Sequence, residues 1–180
     1  NKIPQLEQGL ARIDSRGGTA MRDAVRMSID HEKKFGKKDK KVLLVVTDGE
    51  DNNSMITLEN LVRAGQQSEV LIYAIGLLSE EERRDARRAK RALDALTEAT
   101  GGQSYYPKEL TDVDKIADQV AGDVRNQYFI AYTPINQNLD GSYRQIKVTV
   151  KGKDKPQVRT RSGYYATPDS VRVSTASAKP

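Results

Sequence analysis

The chain has no cysteine and a single histidine in 180 residues. Without cysteine there is no disulfide framework, no thiolate metal site and no redox thiol, although this does not fix the compartment. His31 lies in the charged run Asp30-His31-Glu32-Lys33, which reads as surface, so a Ser-His-Asp triad is disfavoured. A His-Glu-x-x-His zinc site needs two histidines and is excluded. Two nucleotide signatures are also missing, the P-loop Gly-x-x-x-x-Gly-Lys-Ser/Thr and the Gly-x-Gly-x-x-Gly turn. No apolar run approaches the roughly 18 residues of a membrane-spanning helix.

Charge, by contrast, is plentiful. Charged residues make up 31% of the chain and both signs are spread along it, which argues against global disorder, while 37% hydrophobic residues suffice for a core. The net charge is +5. Much of it comes from Lys33, Lys34, Lys37, Lys38, Lys40 and Lys41 around Gly36, a run that reads as a solvated connector or as a polyanion-binding patch. Only Phe35 interleaves with these lysines, so no ladder of aromatics is available to stack bases, and no nucleic-acid partner is expected.

Periodicity then orders the chain. Ile3, Leu6, Leu10 and Ile13 form a helical stripe closed by Gly17-Gly18; Met21, Ala24, Val25, Ser28 and Ile29 form a second. Val42–Val46 is a short continuous apolar run, which predicts a strand buried on both faces. Leu58, Leu61, Val62 and Gly65 mark a third helix, and Val70–Ile75 a second buried strand. Ser79 with Glu82 reads as a capping box for a fourth helix. On that helix Glu80/Arg84 and Asp85/Arg88 are spaced for ion pairs on a solvated face, while Ala89, Leu93 and Leu96 turn inward. A short strand, Gln103–Tyr106, follows Gly101-Gly102. Thr111 with Asp114 is expected to cap a fifth helix with the stripe Val113, Ile116, Ala117, Val120, Ala121 and Val124. Alternating helices and strands predict an α/β fold with parallel strands joined by helical crossovers.

From Tyr128 the pattern changes. Tyr128–Thr133, Tyr143–Lys151 and Gln157–Tyr165 are strand-like, with Asp140-Gly141 and Gly152 to Pro156 as turns, which predicts a small antiparallel meander. The divisions expected are a body over 1–127, a β extension over 128–166 and a flexible tail over 167–180. The tyrosines of the extension fit cross-strand packing or a recognition surface.

In open parallel sheets, ligands bind at the carboxyl ends of strands. The strand ending at Val46 delivers Thr47-Asp48-Gly49-Glu50-Asp51-Asn52-Asn53-Ser54 to that edge, a loop of carboxylates and hydroxyls suited to magnesium or calcium. Gly49 is expected to permit a sharp turn there, and the Gly17-Gly18-Thr19 turn is expected to bring the Thr19 hydroxyl to the same edge. Spacing alone leaves the alternative open that Asp48 and Asp51 cap or solvate the loop and that Thr19 is an ordinary N-cap.

Gly17-Gly18-Thr19-Ala20-Met21-Arg22-Asp23-Ala24, then a strand, then Val46-Thr47-Asp48-Gly49-Glu50-Asp51, resembles the second and third motifs of the metal-ion-dependent adhesion site of von Willebrand factor type A (VWA) domains. The strand Ile72-Tyr73-Ala74-Ile75-Gly76 and the segment Leu93–Tyr106 also resemble that fold. The stretches Asn126–Pro134, Asp140–Tyr143 and Arg161–Tyr165 are similar to VWFA-related proteins of Acidobacteria and neighbouring bacteria. The resemblance implies a Rossmann-like α/β sandwich, with helices on both faces of the sheet, that binds a protein partner through an acidic residue and is not an enzyme. It implies a bacterial, extracytoplasmic setting. In that family a divalent ion, Mg2+ or else Mn2+ or Ca2+, is held by an Asp-x-Ser-x-Ser loop, a Thr and an Asp; the last two correspond to Thr19 and Asp48.

The sequence contains no Asp-x-Ser-x-Ser. We therefore expect an N-terminally truncated domain lacking its first strands, weak or absent metal binding by this chain alone, and an unpaired strand edge prone to self-association. Two other readings stand beside this one. The first is a magnesium-dependent phosphotransfer or hydrolase domain using Asp48. The second is a scaffold that binds partners without metal.

Overall fold

The computed structural model describes residues 3–12, 17–49, 51–79, 83–151 and 158–168. Helices and strands alternate as α1 (Ile3–Leu10), α2 (Met21–Phe35), β1 (Lys41–Thr47), α3 (Leu58–Gln66), β2 (Val70–Gly76), α4 (Arg83–Thr100), β3 (Ser104–Tyr105) and α5 (Asp112–Arg125). Two short strands follow, β4 (Tyr143–Gln145) and β5 (Gly163–Tyr165). Strands β1, β2 and β3 form a parallel sheet in that order, with Lys41 opposite Val70 and Thr47 opposite Gly76. The register places the carboxyl ends of β1 and β2 level with one another. The α/β prediction holds.

The core occupies one face of the sheet. Val45 of β1 and Val70, Ile72 and Ala74 of β2 meet Met21, Val25 and Ile29 of α2, Leu61 of α3, and Leu93 and Leu96 of α4. These positions recur every second residue in the strands and every third or fourth in the helices, so each element turns one side to a common interior. Leu61, Ile72 and Leu93 are completely buried. Removing side chains of this size from water is worth about 2 kcal/mol each.

The opposite face is covered unevenly. Tyr73 and Ile75 of the central strand are buried, but Leu44 and Val46 of β1 are 42% and 56% exposed. The expectation that β1 would be buried on both faces is thus corrected: it is an edge strand here, and its apolar run covers one packed face and one open one. No residue of α1 is buried, so its apolar stripe forms a helix without packing against the body among the described residues. Ile13 lies outside them. The stripe of α5 is likewise only half engaged, with Val120 its one buried residue. Thr111 does not cap that helix with its side chain; it already has helical backbone angles, so the turn begins before the predicted cap. The proposed capping partner Glu82 lies outside the described residues, as do Glu80 and the turn Gly152 to Pro156.

Among the described residues the carboxy-terminal extension holds two strands rather than three. Tyr143 pairs with Tyr165 and Gln145 with Gly163, antiparallel as predicted. Tyr128–Thr133 forms no strand, and Tyr143–Lys151 is strand only to Gln145. The physical reason is the lack of a second ladder: Tyr128, Phe129, Ile130, Val148 and Val150 are all exposed and gain no packing from an extended conformation. Several polar ties hold the pair to the body, among them Gln66 Nε2 donating to Tyr143 Oη and Ser162 Oγ, both at 3.2 Å. Arg161 donates to the carbonyls of Gln66 and Ser68 at the end of α3, at 2.9 and 2.6 Å. Arg159 bridges the extension to Asp123 of α5 at 2.6 Å and to Gln103 before β3.

Candidate functional site

The carboxyl end of β1 opens into a loop that is stitched to the start of α2. Thr19 accepts hydrogen bonds at its carbonyl from Asn52 and Asn53 N–H (3.0 and 3.1 Å), and its own N–H donates to Asn52 Oδ1 at 2.8 Å. The two loops approach so closely that a Cβ at Gly18 would stand 2.7 Å from that Asn52 oxygen. Glycine is required there for space, while Gly17, with φ of +85°, is required for its backbone angle. Gly49 has no positive φ, so the sharp turn predicted at that residue is not made by left-handed backbone.

The first turn of α2 has backbone N–H groups with no helical acceptor, and its N-cap Ala20 has no side chain to offer one. The β1–α3 loop supplies the acceptors. Asp51 Oδ2 accepts from Arg22 N–H at 2.6 Å and Ser54 Oγ from Asp23 N–H at 3.1 Å. In return Asp23 of α2 accepts from the N–H groups of Met55 and Ile56, at 2.9 and 3.0 Å. Asp51 also accepts from the Arg22 guanidinium at 3.2 Å and from Ser54 N–H and Oγ at 3.0 and 2.6 Å. Burial pushes the Asp51 carboxyl up, but the bonds from Arg22 and Ser54 outweigh it and hold the pKa at about 2. Each loop therefore caps the other's helix or turn.

This exchange gives Asp51 its role. Asp51 is a capping carboxylate, with both oxygens engaged. Thr19 is not the N-cap of α2, whose exposed N–H groups are served from the other loop. Among the described residues neither the Thr19 hydroxyl nor the Asp48 carboxylate has a hydrogen-bond partner; Thr19 is half-buried and Asp48 exposed. Sequence reasoning missed Asp23, Asn52 and Ser54 as the residues that join the loops. The only signal for them was the Asp51-x-x-Ser54 spacing, typical of local capping, which does not reveal a partner about thirty residues away.

A divalent ion of the magnesium or calcium type takes six or more oxygens. Thr19 and Asp48 offer two side chains, Asp51 is committed to capping, and no group of three His, Asp or Glu suited to a metal occurs among the described residues. Among the described residues no complete coordination shell is present.

A second polar cluster fastens the neighbouring strand end. Asp94 of α4 accepts from Tyr106 Oη at 2.7 Å and from Ser104 Oγ, and pairs with Lys90 at 2.9 Å. The Lys90 ammonium lies 4.0 Å above the Tyr106 ring. Burial and the adjacent Asp94 raise the Tyr106 phenol well above its usual pKa, so it stays a neutral donor. Lysine and carboxylate neutralise one another here, and the arrangement is a fastening of β3 to α4. His31 is exposed and packs its ring against Phe35, 4.8 Å between centroids, which leaves it no part in this rim.

The model of the von Willebrand factor type A domain matches residues 2–126. The chain belongs to this family. The VWA match spans the body of the protein, from α1 through α5, and ends where the extension begins. Integrin alpha-11 of Mus musculus is 33% identical over 86 residues, 46% of this chain. The chain covers only 7% of that relative's length. No solved structure matches it. VWA domains are known for protein–protein interaction and metal-dependent adhesion, which sets the class within which the rim is to be read.

Proposed function

We propose that this chain is the portion of a protein-binding VWA module that carries Thr19 and Asp48 as two ligands of a divalent-metal adhesion site. The observation that supports the reading is the stitching of the Thr19 loop to the loop following Asp48 through Asn52 and Asn53, which sets both segments at one sheet rim. Among the described residues neither side chain has a hydrogen-bond partner, which leaves their oxygens available to an ion. The remaining oxygens would come from an Asp-x-Ser-x-Ser loop, which this sequence does not contain. A partner's acidic residue would engage the completed site, and the function is binding rather than catalysis. The resemblance to VWFA-related bacterial proteins supports an extracytoplasmic setting.

Titration calorimetry of the 180-residue chain with Mg2+ and Mn2+ tests this directly. Binding is expected to be too weak to measure in the micromolar range; micromolar affinity would refute the incomplete-site reading. In a chain supplied with the Asp-x-Ser-x-Ser segment, Mg2+ binding should appear and fall at least tenfold in Asp48→Ala. Metal-dependent phosphatase turnover that Asp48→Ala abolished would instead favour the phosphotransfer reading.

A second reading has its own observation. Tyr128, Phe129 and Ile130 are 92%, 83% and 74% exposed, an aromatic and apolar run offered to solvent on the extension. Such a surface suits recognition without metal. Partner capture that survives EDTA but is lost on Tyr128→Ser with Phe129→Ser would move the binding function to this segment.

A further inference from the structure

Helix α4 presents an uncovered arginine face. Its inner side is closed by Ala89, Leu93 and Leu96, so the helix is fixed in rotation and its outer side must face solvent. On that outer side Arg83, Arg84, Arg87, Arg88 and Arg91 line one open concavity of about 510 Å³. Arg83, Arg84, Arg87 and Arg91 have no ion-pair partner among the described residues, whereas Lys90, on the same helix, is paired with Asp94.

This arrangement opposes the helix that carries it. Arg83/Arg87, Arg84/Arg88 and Arg87/Arg91 are like-charge pairs four apart, each of which disfavours the helical state. A solvated face needs no such crowding, since alternating signs solvate as well and stabilise. Arginine is also the cation whose planar fork binds oxyanions in pairs of hydrogen bonds, and its charge persists at any physiological pH.

The surroundings select the anion. The concavity is lined by arginines alone, so no aromatic ring stands ready to stack a base. No exposed large apolar residue lies on α4, so the face has nothing to insert below lipid headgroups. Carboxylates match the guanidinium fork and need neither stacking nor insertion. We propose that the α4 arginine face docks a Glu- or Asp-rich segment of a partner protein. The proposal rests on the protein-binding reading above but uses no metal, so it identifies a second contact on the same partner or on another.

The test is fluorescence anisotropy of a labelled octaglutamate peptide titrated with the whole chain in EDTA at low ionic strength. The expected result is saturable binding that weakens at least tenfold in Arg83→Gln/Arg87→Gln/Arg91→Gln. The equal-charge control Lys33→Gln/Lys34→Gln/Lys37→Gln should retain the affinity, and far-UV circular dichroism should show both variants as helical as the parent. Equal losses in the two triple variants would reduce the effect to net charge and overturn the proposal. So would tighter, arginine-dependent binding of heparin, of oligodeoxythymidine or of phosphatidylserine vesicles. Binding abolished by EDTA would overturn it too while leaving the metal-site reading standing; failure of the Mg2+ titrations would not touch it.

Discussion

Adjacent residues of one strand meet opposite fates in this protein. Val45 is 8% exposed and Val46 is 56% exposed, although both are valines in the same apolar run. On the Val45 side three helices close over the sheet; on the Val46 side, among the described residues, β1 has no comparable cover and no neighbour beyond β2. In the central strand the same alternation disappears, since Tyr73 and Ile75 are buried as fully as Ile72 and Ala74. The apolar run therefore encodes a strand, whereas its burial depends on what lies beside it.

Leu93→Ala, on the closed face, is the substitution expected to cost most. Leu93 is completely buried, and its truncation should lower stability by about 3 kcal/mol in urea unfolding. A loss below about 1 kcal/mol would mean that the closed face packs no better than the open one.

Next in size is the capping exchange at the rim of that closed side. Asp51→Ala removes the acceptor for four hydrogen bonds and should cost about 2 kcal/mol. The same carboxylate sets a pH dependence. Its folded pKa of about 2 lies below the ordinary carboxylate value of 3.8, so its contribution is complete above roughly pH 5 and is lost as pH falls through 3.8 toward 2. Asp51→Asn should flatten that part of the stability profile, and an unchanged acid limb would remove Asp51 as its source.

A smaller effect is expected where the extension meets α3. Arg161→Ala deletes the two bonds to the Gln66 and Ser68 carbonyls and should cost about 1 kcal/mol, with faster hydrogen exchange confined to β4 and β5. Exchange that accelerates equally in the core strands would show that the extension and the body unfold as one unit.

The smallest change in stability belongs to the open face. Leu44→Thr with Val46→Thr should alter unfolding by less than about 0.5 kcal/mol, because both side chains are already in contact with water. The same pair should lower any concentration-dependent association seen by sedimentation. A large loss of stability would show that this face is covered in solution.

Much of the body was legible from periodicity. Of the stripe predicted for α2, Met21, Val25 and Ile29 are buried while Ala24 is exposed, and the inward row Ala89, Leu93 and Leu96 of α4 is buried, because a helix repeats its facing positions at fixed intervals. The parallel order followed from strand-helix alternation, since a crossover returns the chain to the same end of the sheet. Placement at the rim was partly legible too, through Gly17-Gly18-Thr19 and the Asp48 loop. What could not be read was the use of each oxygen. Asp48 and Asp51 are the same residue type three positions apart, and only the second is tied to Arg22 and Ser54.

By itself, then, the sequence determined the alternation of elements, the side of each helix that turns inward and the strand end that bears the polar loop. These depend on local geometry, in which the chain's own repeat decides the outcome. The tertiary structure alone decided that β1 is open on one face, that Tyr128–Thr133 forms no strand, and that Asp51 caps a helix about thirty residues earlier in the chain. Each of these depends on which distant group arrives beside a residue, and neither propensity nor spacing specifies that meeting.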